Sequence, residues 1–289
     1  MDETRLLRLP DGRELAWMEV GEPAGPAVLA LHGTPGSRRQ MVIDDKAIAA
    51  TGVRLLALDR PGYGHSTLAE YRHVSDLVTD VTTLADHLEI DRFSVIGYSG
   101  GGPFAAACAR FLADRVSAVA IVSGVGPLDE TGAEKAMMGF NQLVTRMARR
   151  SRYLVYPAFA LVTWICRRWP ERVLKGAGRQ LPPSDVEVLG RPQVRAATIE
   201  EFRHASATTA AAAAQDFALF THDWGFRLED IVTPVHVWHG DADRNVPLSH
   251  GRLLAERIPG AQLHLCPGQG HMLFYQRQEE ILRTLASSS

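Results

Sequence analysis

No apolar run in the chain approaches the roughly 18 to 20 uninterrupted residues of a membrane span. The start, Met1-Asp2-Glu3-Thr4-Arg5, is charged and carries no apolar signal core. Stable membrane insertion and export are therefore not expected. Cysteine is scarce: Cys108, Cys166 and Cys266 are odd in number and far apart, so they make neither a metal-spaced pair nor a disulfide framework. A reducing, cytoplasmic setting is the expectation. Charge of one sign is also lacking; the formal net charge of -2 gives no overall pull toward nucleic acid or a membrane surface. The phosphate-cradling G-x-x-x-x-G-K-[ST] pattern is absent. So are a Rossmann glycine pattern after the first buried strand and any His/Cys/Asp cluster at metal spacing. The partner these absences leave is a small-molecule substrate, with no cofactor and no metal.

What is present suits one large globular core. At 289 residues, with 46% hydrophobic and 22% charged residues, the chain can bury such a core and still carry an insertion. Asp11-Gly12, between Leu6–Leu9 and Glu14–Val20, marks an antiparallel hairpin. A short continuous apolar run at 27–31 is as expected of a strand buried on both faces, and further buried strands follow at 53–58, 93–96 and 116–123. Helical stretches separate them: one running to about Thr51, Ser75–Leu88 with Val78, Val81, Leu84, Ala85 and Leu88 on one side, and Pro103–Phe111. After Gly126-Pro127 the strand signals stop. Residues 129–221 are rich in Ala, Arg, Leu and Met and read as a helical insertion, with the run Ala210 to Ala214 as a closely packed helix. Sheet character resumes at 235–238 and 261–266, with helices at 249–258 and from the last strand to about Leu285. The expected fold is α/β: a mostly parallel, doubly wound sheet of about eight strands, with an N-terminal antiparallel hairpin and helices on both faces. Residues 1–128 and 222–289 form its core domain, and 129–221 a helical cap insertion.

In such sheets ligands bind at the carboxyl ends of the strands, where the glycine-rich loops fall. Gly97-Tyr98-Ser99-Gly100-Gly101-Gly102 lies between an apolar run and a helix, the context in which G-x-S-x-G becomes a nucleophile elbow. Small neighbours suit a strained serine backbone, and the Gly100 amide then faces the place where an oxyanion forms. A serine hydroxyl needs a base, and the base needs an orienting group. His271, in the glycine-rich loop after the last strand, is the candidate base. Asp243, after the penultimate strand, is the candidate acid, with Asp241 on the same loop and Asp129 after the strand that follows the nucleophile helix as competitors.

These residues give the chain its resemblance. His32-Gly33-Thr34-Pro35-Gly36, Asp59-Arg60-Pro61-Gly62-Tyr63-Gly64-His65-Ser66, the Ser99 turn, and His239-Gly240-Asp241-Ala242-Asp243 with Gly270-His271 together resemble the α/β-hydrolase superfamily of cap-bearing, cofactor-free enzymes. The likeness covers the sheet domain on both sides of the insertion. It implies Ser99 as nucleophile, Asp243 as acid and His271 as base. It also implies an oxyanion hole made of the Thr34 and Gly100 amides, to which the Thr34 hydroxyl could add. His32 then braces the oxyanion loop, His65 supports its turn or lines the pocket, His239, at a strand end, is a core residue or one that supports a site residue, and Asp59 braces its loop. Superfamily members that displace halide or open epoxides carry aspartate at the elbow; serine implies an acyl-enzyme. The implied activity is hydrolysis of an ester, less readily an amide. The alternatives are carbon–carbon bond cleavage of diketones, release of N-terminal proline, and a ligand-sensing receptor that keeps the triad.

Two features of the insertion stay open at this level. Arg146, Arg149, Arg150, Arg152, Arg167, Arg168, Arg172, Lys175 and Arg179 face a single acid, Glu171, within their own stretch. They read either as solvated helix faces or as a device for steering an anionic substrate or docking on an acidic surface. Tyr153, Tyr156, Phe159, Trp164 and Trp169 read equally as the wall of an apolar acyl pocket and as core packing.

Overall fold

The computed structural model describes residues 4–129, 134–204 and 207–288. The first three residues of the charged start, residues 130–133 and 205–206 of the expected insertion, and the last residue lie outside them.

Eight strands form one sheet: β1 (Arg5–Arg8), β2 (Glu14–Gly21), β3 (Ala27–Leu31), β4 (Arg54–Leu58), β5 (Phe93–Tyr98), β6 (Val116–Val122), β7 (Val235–Gly240) and β8 (Gln262–Cys266). Their spatial order is β1-β2-β4-β3-β5-β6-β7-β8. The β1–β2 and β2–β4 pairs are antiparallel and the others parallel, as the hairpin followed by alternating strands and helices predicts. Alternation along each central strand sends neighbouring side chains to opposite faces. Leu29, Leu31, Val95 and Ile121 enter one core cluster with Leu77 and Val81 of α2 (Leu77–His87) and Phe104 of α3 (Gly102–Phe111). Val28, Ala30, Ile96 and Ala120 enter the other with Ile48 of α1 (Asp45–Ala49) and Ile281 and Leu282 of α11 (Phe274–Ala286). Burial on both faces is why these strands lack an alternating apolar–charged pattern.

One expected helix is split. The stretch before Thr51 contains a 3-10 turn, Arg38–Met41, and then the short α1. The Asp44 carboxylate accepts from the Lys46 and Ala47 amides, both at 3.0 Å, and so starts a new helix inside the segment.

Between β6 and β7 run α4 (Gly139–Ala148), α5 (Arg152–Arg168), α6 (Pro170–Ala177), α7 (Pro183–Gly190), α8 (Pro192–His204) and α9 (Ala207–Phe220); α10 (Leu248–Arg257) lies between β7 and β8. Ala210, Ala213 and Ala214 of α9 pack with Val155 and Phe159 of α5 in a cluster of their own, the small side chains letting the two helices approach closely. No helix among the described residues is long and apolar enough to cross a membrane.

Register brings the functional loops to one edge. Leu31 pairs with Leu58 and Gly97, Tyr98 with Val122, and Gly240 with Cys266. The loops after β3, β4, β5, β7 and β8 therefore leave the sheet on the same side.

Candidate active site

Ser99 follows β5 directly and has φ of 53°, in the left-handed region that a non-glycine residue occupies at a cost of about 1–3 kcal/mol. The turn is possible because its neighbours are glycines. A Cβ on Gly101 would lie 2.3 Å from the Leu31 carbonyl oxygen. A Cβ on Gly100 would lie 2.2 Å from Thr34 Oγ1 and 3.0 Å from Thr34 N. The Thr34 and Gly100 backbones are thus side by side next to the serine.

His271 opens a 3-10 turn, His271–Leu273, ahead of α11. Its Nε2 is 3.0 Å from Ser99 Oγ and its Nδ1 is 2.8 Å from Asp243 Oδ2. The other Asp243 oxygen accepts from the Asn245 and Val246 amides at 2.8 and 2.9 Å. These contacts arrange an Nδ1–H donating to Asp243 and an Nε2 lone pair accepting from the serine hydroxyl. Burial disfavours the imidazolium, but the charge and hydrogen bond of Asp243, then the charge of Asp185, outweigh it and raise His271 above the ordinary imidazole value.

The competing acids stand elsewhere. Asp241 is exposed and accepts from the Gly268 amide at 2.6 Å, bracing the turn after β8. Asp129 is exposed at the start of the segment between β6 and β7. His239, fully buried, donates through Nε2 to the Val246 carbonyl at 2.9 Å and lies 3.7 Å from Asp243.

His32 is fully buried. Its Nδ1 bonds the Gly33 carbonyl at 2.8 Å and its Nε2 accepts from the Arg60 amide at 3.0 Å. Burial, then the Arg60 charge, depresses its pKa and keeps it neutral. Asp59, also fully buried, accepts from the Arg38 amide at 2.7 Å and the His65 amide at 2.9 Å. The His65 side chain is exposed and lies outside the cavity at Ser99.

The sequence reading did not single out Arg60 or Asp216. Arg60 Nη2 donates to the Gly33 carbonyl and to Thr34 Oγ1, both at 2.9 Å. Because the carbonyl and N–H of one trans peptide point opposite ways, the Thr34 N–H is turned away from Arg60. Asp216, from α9, accepts at one oxygen from Thr34 Oγ1 at 2.6 Å, Arg60 Nη1 at 2.8 Å and the Tyr63 hydroxyl at 2.7 Å. The Thr34 hydroxyl proton is therefore committed to Asp216, so the expected addition of that hydroxyl to the oxyanion hole is not made. Asp216 sits 156 residues from Arg60 in the chain, and no local pattern announces the pair.

Ser99 opens on a cavity of about 250 Å³. Its walls are mainly apolar: Val125, Leu128, Met137, Phe140, Phe159, Val162, Phe202, Phe217, Phe220 and Val246, with Thr163, Thr209, Asn141 and Asn245 as polar points. Asn141 donates to Asn245 Oδ1 at 2.7 Å. No charged side chain lines it among the described residues. Of the five aromatics proposed as a pocket wall, Phe159 alone lines the cavity. The inner arc of α5 carries Val155, Phe159, Val162 and Cys166, at helical spacing; Tyr153, Tyr156 and Trp164 fall outside it and are 73%, 39% and 56% exposed. None of the nine basic residues lines the cavity. Arg149 holds the Leu128 carbonyl and Glu134, each at 2.9 Å, while Arg150, Arg167, Arg168, Arg172, Lys175 and Arg179 are exposed.

Residues 26–278 match the family described as alpha/beta hydrolase fold. Over 271 residues the chain is 28% identical to the dihydrolipoyllysine-residue acetyltransferase component of the acetoin cleaving system of Pseudomonas putida; the match covers 93% of this chain and 65% of that protein. Epoxide hydrolase A of Mycobacterium tuberculosis is 33% identical over 116 residues, 39% of this chain and 36% of its own length. The esterase RhEst1 of Rhodococcus sp. superposes with a TM-score of 0.72 at 23% identity, covering 99% of this chain and 98% of its own.

Proposed function

The chain belongs to the alpha/beta hydrolase fold family and is an enzyme of that class; from this premise we propose that it hydrolyses a neutral carboxylic ester, less readily an amide, through an acyl-enzyme on Ser99. The observation that carries the reading is the continuous line from Asp243 through His271 to Ser99, at 2.8 and 3.0 Å, ending in an uncharged cavity. Ser99 Oγ attacks the ester carbonyl while His271 Nε2 takes its proton, and Asp243 holds the Nδ1–H and stabilises the imidazolium. The Thr34 and Gly100 amides serve as oxyanion donors, each worth about 3 kcal/mol at the transition state. His271 then protonates the leaving alkoxide, and a water attacks the acyl-enzyme by the same path, restoring Ser99 and releasing the acid. The α4 to α9 segment acts as a cap whose inner face binds the acyl chain.

The chemistry of the nucleophile separates this reading from that of Epoxide hydrolase A. A carboxylate that opens an epoxide leaves an ester that water can cleave; a serine would leave an inert ether. The uncharged cavity wall favours a neutral acyl group over a peptide with a cationic amino terminus. Purified protein is expected to turn over neutral p-nitrophenyl esters, with the rate lost in Ser99→Ala and His271→Ala. Absence of turnover across acyl, peptide and diketone substrates sinks the reading and favours a receptor. Turnover of the diketone alone replaces it with carbon–carbon bond hydrolysis.

A further inference from the structure

The His271 turn has an unusual support. The 3-10 turn His271–Leu273 and α11 follow one another directly, and no side chain of the turn's own N-cap satisfies its first amides. Such amides are orphan donors and mark the positive end of a helix. Here they are met from α7, some 86 residues away. Ser184 Oγ accepts from the Gly270 amide at 3.0 Å, Asp185 Oδ2 from the His271 amide at 2.9 Å, and Asp185 Oδ1 from the Met272 amide at 3.0 Å. Asp185 is only 1% exposed, and a Cβ on Gly270 would lie 2.4 Å from its carboxylate oxygens, so the turn and the carboxylate fit closely.

The opposite side of the same residue is held by the sheet. The His271 carbonyl accepts from Ser123 Oγ at 3.1 Å and from the Tyr98 hydroxyl at 3.3 Å. Asp243 fixes the ring, so Asp185 is, among the described residues, the one charged group that fixes the backbone from which the ring is hung. A buried carboxylate is costly unless its hydrogen bonds are satisfied; both oxygens of Asp185 are spent on this one turn.

We infer that Asp185 is a positioning residue for the reaction: the cap segment, beyond enclosing substrate, clamps the backbone of the catalytic base through α7. This inference rests on the Ser99–His271–Asp243 reading. It gives the cap a part in chemistry on substrates too small to touch it. Misplacement of a reacting group by about 1 Å can cost on the order of 100-fold in rate, which sets the scale of effect available to such a clamp. A second consequence is electrostatic. The titratable groups that face His271 are Asp243 and His239 from β7 and its loop, Tyr98 from β5 and Asp185 from α7. Removing the Asp185 charge withdraws one of the two negative charges that favour its imidazolium.

The test is Asp185→Asn, with Asp185→Ala as the second variant, in the full-length enzyme turning over p-nitrophenyl acetate. Rates are expressed per active site counted with a fluorophosphonate, so that partial unfolding does not count as lost chemistry. Both variants are expected to lower kcat by roughly 10- to 100-fold with KM little changed, and to move the acid limb of the pH–rate profile to lower pH. An unchanged kcat per site with an unchanged acid limb overturns the inference, whether or not thermal stability falls. So does a change confined to KM. If the wild-type enzyme itself turns over no ester, the ester reading fails first, which a variant-specific result cannot mimic.

Discussion

His271 has every polar atom engaged, and the engagements differ in kind. Asp243 sets its tautomer, Ser99 takes its lone pair, Ser123 and Tyr98 hold its carbonyl, and Asp185 holds its amide. Asp243→Asn keeps the shape but favours the wrong tautomer, and kcat is expected to fall by about 10⁴-fold. Asp241→Asn, which removes the charge but keeps an oxygen that accepts from the Gly268 amide, leaves turnover within an order of magnitude. Steady-state rates on one ester separate the two. The raised pKa of His271 carries its own expectation. The base works when neutral, so activity is lost as pH falls through its pKa, and the acid limb of kcat/KM lies above the ordinary imidazole value of about 6.5. An acid limb below that value contradicts the balance of charges described here. At this scale much was legible in the sequence. Ser99, Asp243 and His271 sit in short loops after strands, where turn glycines and strand order mark a position. Arg60, Asp185 and Asp216 were not singled out, because their partners are brought to them only by the folded chain.

Among the elements, α9 is tied through Asp216 to Thr34 and Arg60, in the loops after β3 and β4. Asp216 and Arg60 are an ion pair exposed to 5% or less, and removing one member leaves the other charge buried without its partner. Asp216→Ala is expected to destabilise the protein by about 3–5 kcal/mol, read as a shift in the urea midpoint at constant slope, and to release the Thr34 hydroxyl. A loss under about 1 kcal/mol would mean that water replaces the carboxylate without penalty. The element α5 shows the limit of pattern reading. Its aromatic and basic residues were visible, but which arc faced the cavity was not, because both arcs carry apolar side chains; Phe159 points inward, while Tyr153 and Trp164 are largely exposed. The strands were easier. Ala27–Leu31 and Phe93–Tyr98 are buried on both faces, and such burial leaves a short run without charged residues that a helix of this length does not need.

For the whole molecule, fold and substrate choice are separable. The sheet aligns the ends of its strands and so brings Ser99, Asp243 and His271 together; the α4 to α9 segment supplies much of the cavity wall beside Ser99. The fold class was legible because it follows from the order and spacing of elements. The cavity was not, because its walls come from residues scattered between 34 and 246. Phe159 is part of that wall and 4% exposed. Phe159→Ala is expected to raise the preference for longer over shorter acyl chains, by about tenfold or more, as a ratio of kcat/KM values that does not depend on the amount of folded enzyme. No change in that ratio would remove Phe159 from the acyl site. The proposed covalent intermediate on Ser99 can be trapped by acid-quenching the enzyme during turnover of a neutral ester and mapping the acyl group by mass spectrometry. One acyl group is expected on the peptide that contains Ser99, absent in Ser99→Ala and in His271→Ala; steady turnover with no acyl group on that peptide, or with the acyl group on another residue, would show that the ester is not cleaved through Ser99.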